Sequence, residues 1–426
     1  MQKDFHYYCV GILARAAGFN TRDALIIAYA SQYVDDSTES KPIKLKDEES
    51  KTEFLFDPVR TAHTGLKASK WSIHKRVFIP FHFIPPEGFT YTEPASYFYT
   101  PPNFVTRSNS HFANKILRNA SRERNEKRRL CRIGIALHTF ADTWSHTGFS
   151  GRNSKVENSV KNIHIWDRNE WHKETVTDKI IESITDIFAG EVGHCEAGYL
   201  PDLSFLRWKY KNPSNNLTIE YDNHRKFYDA ARIIYDKLCC IKKAYTLEKI
   251  PWNDIKNTIS ELFAYRGSLG VKISFFEKVN MYLNDDLLEE RCTKWKDKFK
   301  HYFDPPEAYH YDRLEWRDLA LNPNKLDPEF NIGDTLLPAN SKNKEKKLDI
   351  QDEEDLEMKW KIWAQKFDYD RDFGFAKKNI DWDDWDESKL EKEMNFFLKP
   401  CFPDSLWVHF HRAAMCQRAF VLQQLP

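Results

Sequence analysis

The chain has no excess of charge of either sign: Lys and Arg together number 64, and so do Asp and Glu, for a formal net charge of zero. No global field therefore draws it to nucleic acid or to an anionic membrane, and any recognition of phosphate has to be local. Its eight cysteines include an adjacent pair, Cys239 and Cys240, but no C-x-x-C and no regular spacing. That usage suits reduced thiols in a cytosolic protein better than a disulfide framework. Nowhere does the sequence reach the run of about 18 to 20 apolar residues that a transmembrane helix needs. The opening MQKDFHYY sets an acid and a histidine where a signal peptide requires unbroken apolar residues. No internal repeat is visible, so solenoids and propellers drop out. The expectation from these absences is a soluble, cytoplasmic protein.

What is present is ample core material. Of 426 residues, 41% are hydrophobic and 15% aromatic, and that length allows roughly two to three domains' worth of packing. One stretch departs from the average. The chain is 30% charged, yet Ile133 to Gly151, IGIALHTFADTWSHTGFSG, carries the single formal charge of Asp142, midway between His138 and His146. On a helix these three are successive i, i+4 neighbours stacked along one face. Ile133, Leu137, Phe140, Ala141 and Trp144 form an apolar stripe almost opposite. A wet face would normally carry Lys, Glu or Arg, but Ile135 sits in the middle of this one. Histidine flanking a carboxylate suits zinc-like ions; the competing reading is the solvated side of an ordinary amphipathic helix. A glycine stop at Gly148 ends the expected helix.

Other candidates lie on either side. A helix is expected over about Asp4 to Ala17, with His6 in its first turn, and a second from Thr21 to the paired acids Asp35 and Asp36. Two carboxylates at a helix C-terminus oppose the dipole. A cation would compensate them, as would plain exposure to water. Residues 37–53 have the composition of a solvated insertion. TAH brings His63, and KRVFIPFHFIPP reads as a short extended segment with His82 between two phenylalanines. From about Ser108 a long helical region with mixed charge runs into the central helix, and its basic residues form ion pairs on a wet surface or meet a phosphate. Further on come NIHIWD, with His164 and Asp167, and an ordered loop with His194, Glu196 and Asp202. The remainder looks helical, apart from a charged linker at 340–357; His409 and His411 read as structural.

The blocks DFHYY, ASQYVDD, TAH, IPFHFIP, LHTFADTWSHTGFSG and GHCEAGYLPDL, in that order within residues 1–225, resemble an uncharacterised bacterial family. That family is in turn similar to the superfamily of zinc-dependent phospholipase C and single-strand-specific zinc nucleases. The resemblance implies an all-α fold: a multi-helix bundle with a metal site in its core over residues 1–240, followed by a helical C-terminal extension over 241–426. It implies hydrolysis of phosphoester bonds by a cluster of about two or three zinc ions, with manganese as the alternative metal. It further implies His6, Asp35, His82, His138, Asp142, His146 and His194 as metal ligands, with Asp202 a companion to His194. Asp35 would bridge ions or serve as the catalytic base. Two features depart from the superfamily: its third histidine stands farther beyond the acid than His146 does, and its processed N-terminal tryptophan is replaced by Met1. The expected partner is a phosphate-containing substrate of open class, with a possible protein partner for the C-terminal half.

Two readings compete. Arg132 and His138 form an R-x5-H spacing like that of metal-free helical ribonucleases, though it leaves Asp142 and His146 unused. A metal-stabilised helical scaffold or binding protein without catalysis is the other, and closed coordination would mark it.

Overall fold

The computed structural model of the chain describes residues 1–38, 43–47, 53–62, 73–87, 103–167, 169–173, 193–194, 197–241, 249–267, 285–322 and 395–425. His63 and the charged segment 340–357 lie outside them.

The chain begins as a π-helix, Asp4–Cys9, that continues into α1, Val10–Ala16. Helix α2, Thr21–Asp36, starts where the Asn20 side chain accepts the Asp23 N–H at 2.7 Å. Helix α3, His111–Ser121, is followed after a short break by α4, Glu126–Ser145. The long helical region expected from about Ser108 is thus two helices: Asn125 caps α4 by accepting the Arg128 N–H at 2.9 Å. The first turns of α4 are wet. From Leu130 to Ser145 every residue except Arg132 is buried, because α2, α3, the later helix α5 (Asn223–Ile241) and the last helix all pack around it.

Gly134 explains how close α2 comes. A Cβ there would lie 2.4 Å from the Ile27 carbonyl oxygen and 2.7 Å from the Ala30 Cβ. Glycine inside a helix costs roughly 1 kcal/mol against alanine, and here it lets two backbones touch. Helices α6, Trp252–Ala264, and α7, Asp285–Phe299, follow α5. The last helix, α8, Leu406–Leu422, lies along α4. Its Gln417 Nε2 donates to the Thr139 hydroxyl at 2.8 Å and to the Pro80 carbonyl at 3.0 Å. One hydrophobic core thus runs from Met1 to Val421 and includes both ends of the chain.

The all-α expectation is overturned, for the molecule is mixed α and β. One four-stranded sheet has the order β2-β1-β8-β7, from β1 (Ile43–Lys46), β2 (Glu53–Phe56), β7 (Leu321–Asn322) and β8 (Asn395–Leu398). Its β1–β8 pair is parallel and the other two are antiparallel. The second sheet, order β4-β3-β5-β6, is antiparallel throughout and comprises β3 (Lys161–Asp167), β4 (Glu170–Lys173), β5 (Arg207–Lys211) and β6 (Thr218–Asp222). Each of these strands is short and offers at most a few apolar positions in alternation with polar or charged residues. That signal is too short to stand out beside long helical periods. Ile163, Ile165, Trp208, Tyr210 and Tyr221 nevertheless form a buried inner face with Phe83 and Phe149.

The segment around His82 also departs from expectation. Residues His74–Phe78 form a π-helix and Ile79–Phe81 a helical turn, not an extended run. Pro80 falls where the π-helical turns pass into the last helical turn of the segment. Among the described residues no helix is long and apolar enough to cross a membrane.

Candidate metal centre

Helix α4 supplies the middle of the site. His138 Nε2 lies 3.2 Å from Asp142 Oδ2, and His146 Nδ1 lies 3.7 Å from the same oxygen. The helix ends at His146, whose N–H still bonds the Asp142 carbonyl at 2.9 Å. Gly148, at φ +93°, then turns the chain. A side chain there would collide with the Tyr221 hydroxyl oxygen, 2.5 Å from an ideal Cβ, so the turn that ends the helix is closed against the second sheet.

Four other segments converge on these residues. The N-terminal π-helix places His6 Nε2 3.2 Å from Asp142 Oδ1, and the His6 ring stacks on His138 at 3.9 Å. A π-helical insertion is rare and recurs at functional sites. The C-terminus of α2 brings Asp35 Oδ1 to 3.6 Å from His138 Nε2 and 3.9 Å from His82 Nδ1. His82 Nδ1 is 3.2 Å from Asp142 Oδ2 and 3.1 Å from His138 Nε2. Beside this group, His146 Nε2 and His194 Nε2 each lie 3.4 Å from an oxygen of Asp202. Phe83, from the second core, stacks on His146 at 4.4 Å and so backs that ring against the sheet.

The seven side chains expected from the sequence thus lie in one region, and Asp202 joins them. Three sets have ligand atoms within 4.8 Å of one another: His6, Asp35 and His138; His82, His138 and Asp142; His146, His194 and Asp202. His138 belongs to two of these sets. The sequence reading missed the Met1 amino group, a backbone terminus with no side-chain signal. It donates to Asp142 Oδ1 and Asp202 Oδ1, both at 2.9 Å, and to the Ser145 hydroxyl at 3.2 Å.

Backbone carbonyls orient three of the rings. His82 Nε2 is 2.9 Å from the Thr61 carbonyl, His146 Nδ1 2.9 Å from the His82 carbonyl, and His194 Nδ1 2.7 Å from the Gly198 carbonyl. A ring nitrogen facing a carbonyl must carry the proton. The opposite nitrogen of a neutral ring then turns a lone pair toward the carboxylates, as metal-ligating histidines do.

The electrostatics set the carboxylates and the rings apart one by one. Burial opposes ionisation of Asp142, but the Met1 ammonium and the rings of His146, His138 and His6 outweigh it and hold the carboxyl well below the usual range. Asp202 is depressed in the same way: burial opposes, and Met1 and His194 prevail. His6 is held well below its ordinary value by burial and by His138, and His194 is lowered to about 4 by burial against the pull of Asp202. For His82, burial is outweighed by Asp142, and its pKa rises. The Met1 amine rises to about 11, since Asp142, Asp202 and Asp35 overcome its burial. Asp35 rises mainly through burial, against His138 and His82. It lies deep in the protein mass, yet 33% of its side chain is accessible, so its carboxyl borders open space.

The residues fit a cluster of divalent ions. Nδ1 of His6 and Nδ1 of His138 are buried with no hydrogen-bond partner among the described residues, and His6 Nε2, though 3.2 Å from Asp142 Oδ1, is not aligned for a hydrogen bond to it. Buried polar atoms of that kind are rare unless something absent satisfies them. Two donors on one tetrahedral zinc, with bonds of about 2.0–2.1 Å, stand about 3.3 Å apart; the spacings here run from 3.1 to 3.9 Å. Three carboxylates against one fixed ammonium also leave negative charge for cations to balance. All the donors are nitrogen and oxygen, which suits zinc or manganese.

The remaining candidates lie elsewhere. Asp36 accepts hydrogen bonds from Tyr311 and Gln32. His164 is on β3, and Asp167 pairs with Arg266 at 3.0 Å. Arg132 pairs with Glu123 at 3.3 Å and bonds Asn119. The basic run that leads into the first turns of α4 is tied internally in part, with Glu123 also bonding Arg128 at 2.9 Å. His411 Nδ1 accepts the Val59 N–H at 3.0 Å, and His409 Nε2 bonds Asp404 at 2.9 Å.

No curated protein and no solved structure matches the chain. Its sequence does match DUF6765, a family of unknown function, over residues 1–425, and the chain belongs to that family.

Proposed function

We propose that the protein is a zinc-dependent hydrolase of phosphoester bonds. The observation that carries this reading is the surroundings of Asp142. Its buried carboxylate has nitrogens of His6, His82, His138 and His146 within 3.7 Å, while Asp35 beside it keeps one side open. A closed structural site has no such opening.

When bound, clustered divalent ions bring a water to near-neutral acidity and stabilise charge on phosphoryl oxygens. The chain's own residues do the rest. Asp142 and Asp202 stay ionised and fix the polarity of the site. Rings pinned by the carbonyls of Thr61, His82 and Gly198 offer lone pairs without reorganisation. Asp35, with its raised proton affinity and open face, is placed to orient an attacking water and accept its proton at a carboxylate oxygen. The seven described cysteines are free thiols, which supports action in the reducing cytoplasm.

The test is a screen of the purified protein against bis(p-nitrophenyl) phosphate and p-nitrophenyl phosphate. Hydrolysis that a chelator abolishes and zinc or manganese restores supports the proposal. Bound metal with no hydrolysis of either ester favours the scaffold, and chelator-resistant activity rejects the metal mechanism. Cell fractionation checks the compartment.

A further inference from the structure

The C-terminal half reaches the metal centre through residues that are not themselves ligands. Tyr311 donates its hydroxyl to Asp36 Oδ2 at 2.6 Å, and Gln32 Nε2 donates to the same oxygen at 3.1 Å. Asp36 follows Asp35 at the end of α2, so a bond that fixes one carboxylate sets the direction of the last turn and of its neighbour. The same segment grips the other side of the site. His310 offers its carbonyl to the Tyr7 hydroxyl at 2.6 Å, and the Tyr309 hydroxyl bonds the Tyr8 carbonyl. Tyr7 is adjacent to His6, and the rings of Tyr7 and Tyr311 lie 5.2 Å apart. On the far flank, Arg291 of α7 bonds Asp4 at 3.0 Å in a buried ion pair and also reaches Gln2. Three consecutive residues, 309 to 311, therefore tie together the two elements that deliver His6 and Asp35.

We infer that Tyr311 is a positioning residue of the metal centre: through Asp36 it fixes the end of α2 and so the place of the Asp35 carboxylate. The inference rests on the metal reading above. Alone, the C-terminus of a helix frays, and two adjacent carboxylates there repel each other and oppose the dipole. A hydroxyl donor on Asp36 leaves Asp35 as the member free to face His138 and His82. Partners that orient metal ligands in this manner typically govern affinity by 10–100-fold.

The experiment is a zinc competition titration against a chromophoric chelator, on the full chain, with melting temperatures of the metal-free proteins. Tyr311→Phe keeps the ring and loses the bond, and Asp36→Asn keeps an acceptor for Tyr311. Tyr29→Phe is the control, because Tyr29 also ties α2 to the C-terminal half, donating to the Asp312 carbonyl at 2.8 Å, without touching either acid. Tyr311→Phe is expected to weaken one class of zinc about 10–100-fold. Asp36→Asn should hold wild-type affinity, and Tyr29→Phe should lower the melting temperature alone. Affinity of Tyr311→Phe within about twofold of wild type overturns the inference, as does an equal loss in Tyr29→Phe. Loss in Asp36→Asn makes Asp36 a ligand and overturns it too. A wild type that binds no zinc overturns this inference and the metal reading together; zinc bound normally by wild type and Tyr311→Phe alike overturns the inference alone.

Discussion

His82 Nδ1 and His138 Nε2 face each other at 3.1 Å, and the other nitrogen of His82 is committed to the Thr61 carbonyl at 2.9 Å. With Nε2 of His82 holding its proton, two lone pairs would repel across that gap unless a proton or a cation lies between them. Asp142 Oδ2, 3.2 Å from each nitrogen, completes a triangle of donors. A divalent ion satisfies all three at once, and stability should therefore depend on it.

The first prediction concerns chelation. A ligand bound only by the folded state, at a free concentration about 1,000 times its Kd, adds about 4 kcal/mol. Removing metal with EDTA should lower the melting temperature clearly, and added zinc should restore it. A melting curve indifferent to chelator contradicts the expectation.

The second concerns Gly134. Valine in its place must push α2 off α4, since even a Cβ meets the Ile27 carbonyl oxygen at 2.4 Å. Overpacking of this kind costs about 1–3 kcal/mol. Because α2 carries Asp35 in its last turn, Gly134→Val should lose metal as well as stability. Denaturant unfolding and metal analysis on one preparation check both; stability lost with metal retained would mean that α2 can shift without moving Asp35.

The third concerns pH. Burial, with Arg418 adding to it, lowers the pKa of His411 to about 3, and Nδ1 accepts the Val59 N–H, which only the neutral ring can do. The folded state keeps this ring neutral while the unfolded chain protonates it below about 6.5. Its contribution is thus intact above that pH and is lost as pH falls from about 6.5 toward 3, at about 1.4 kcal/mol per unit. His411→Asn keeps an acceptor for Val59 without the titration. In metal-free protein its stability should fall less steeply with acid than wild type does, and parallel curves would show that His411 does not contribute.

The centre was more legible than the fold, and for physical reasons. His138, Asp142 and His146 stand at helical spacing in a stretch almost free of charge, and burial of that face follows from the apolar residues around it. Asp35 at a helix C-terminus called for compensation, and His82 and His138 lie beside it. Met1 stood out only as a departure from the superfamily's N-terminal tryptophan, and the place of its amino group has no side-chain signature. Strands β5 and β6 were hidden because Arg207, Lys209, Lys211 and Glu220 stand on their outer face, and β3 because its inner face rests on Ile163 and Ile165 alone. The turn at Ile79–Phe81 was misread because proline argues against a helix interior, and here Pro80 directly follows a π-helix. The parallel pairing of β1 with β8 joins residues some 350 positions apart, a distance no local pattern reports.

The most direct measurement is elemental analysis of the gently purified protein and of Asp142→Asn, with melting temperatures on the same samples. The substitution keeps the shape of the side chain and replaces an anionic ligand by a neutral amide. Asp142 is the acid on which four histidines and the Met1 amine converge. More than one equivalent of zinc or manganese in the wild type, lost in a folded Asp142→Asn, is the predicted result. A metal-free wild type, or wild-type occupancy in Asp142→Asn, would contradict the account.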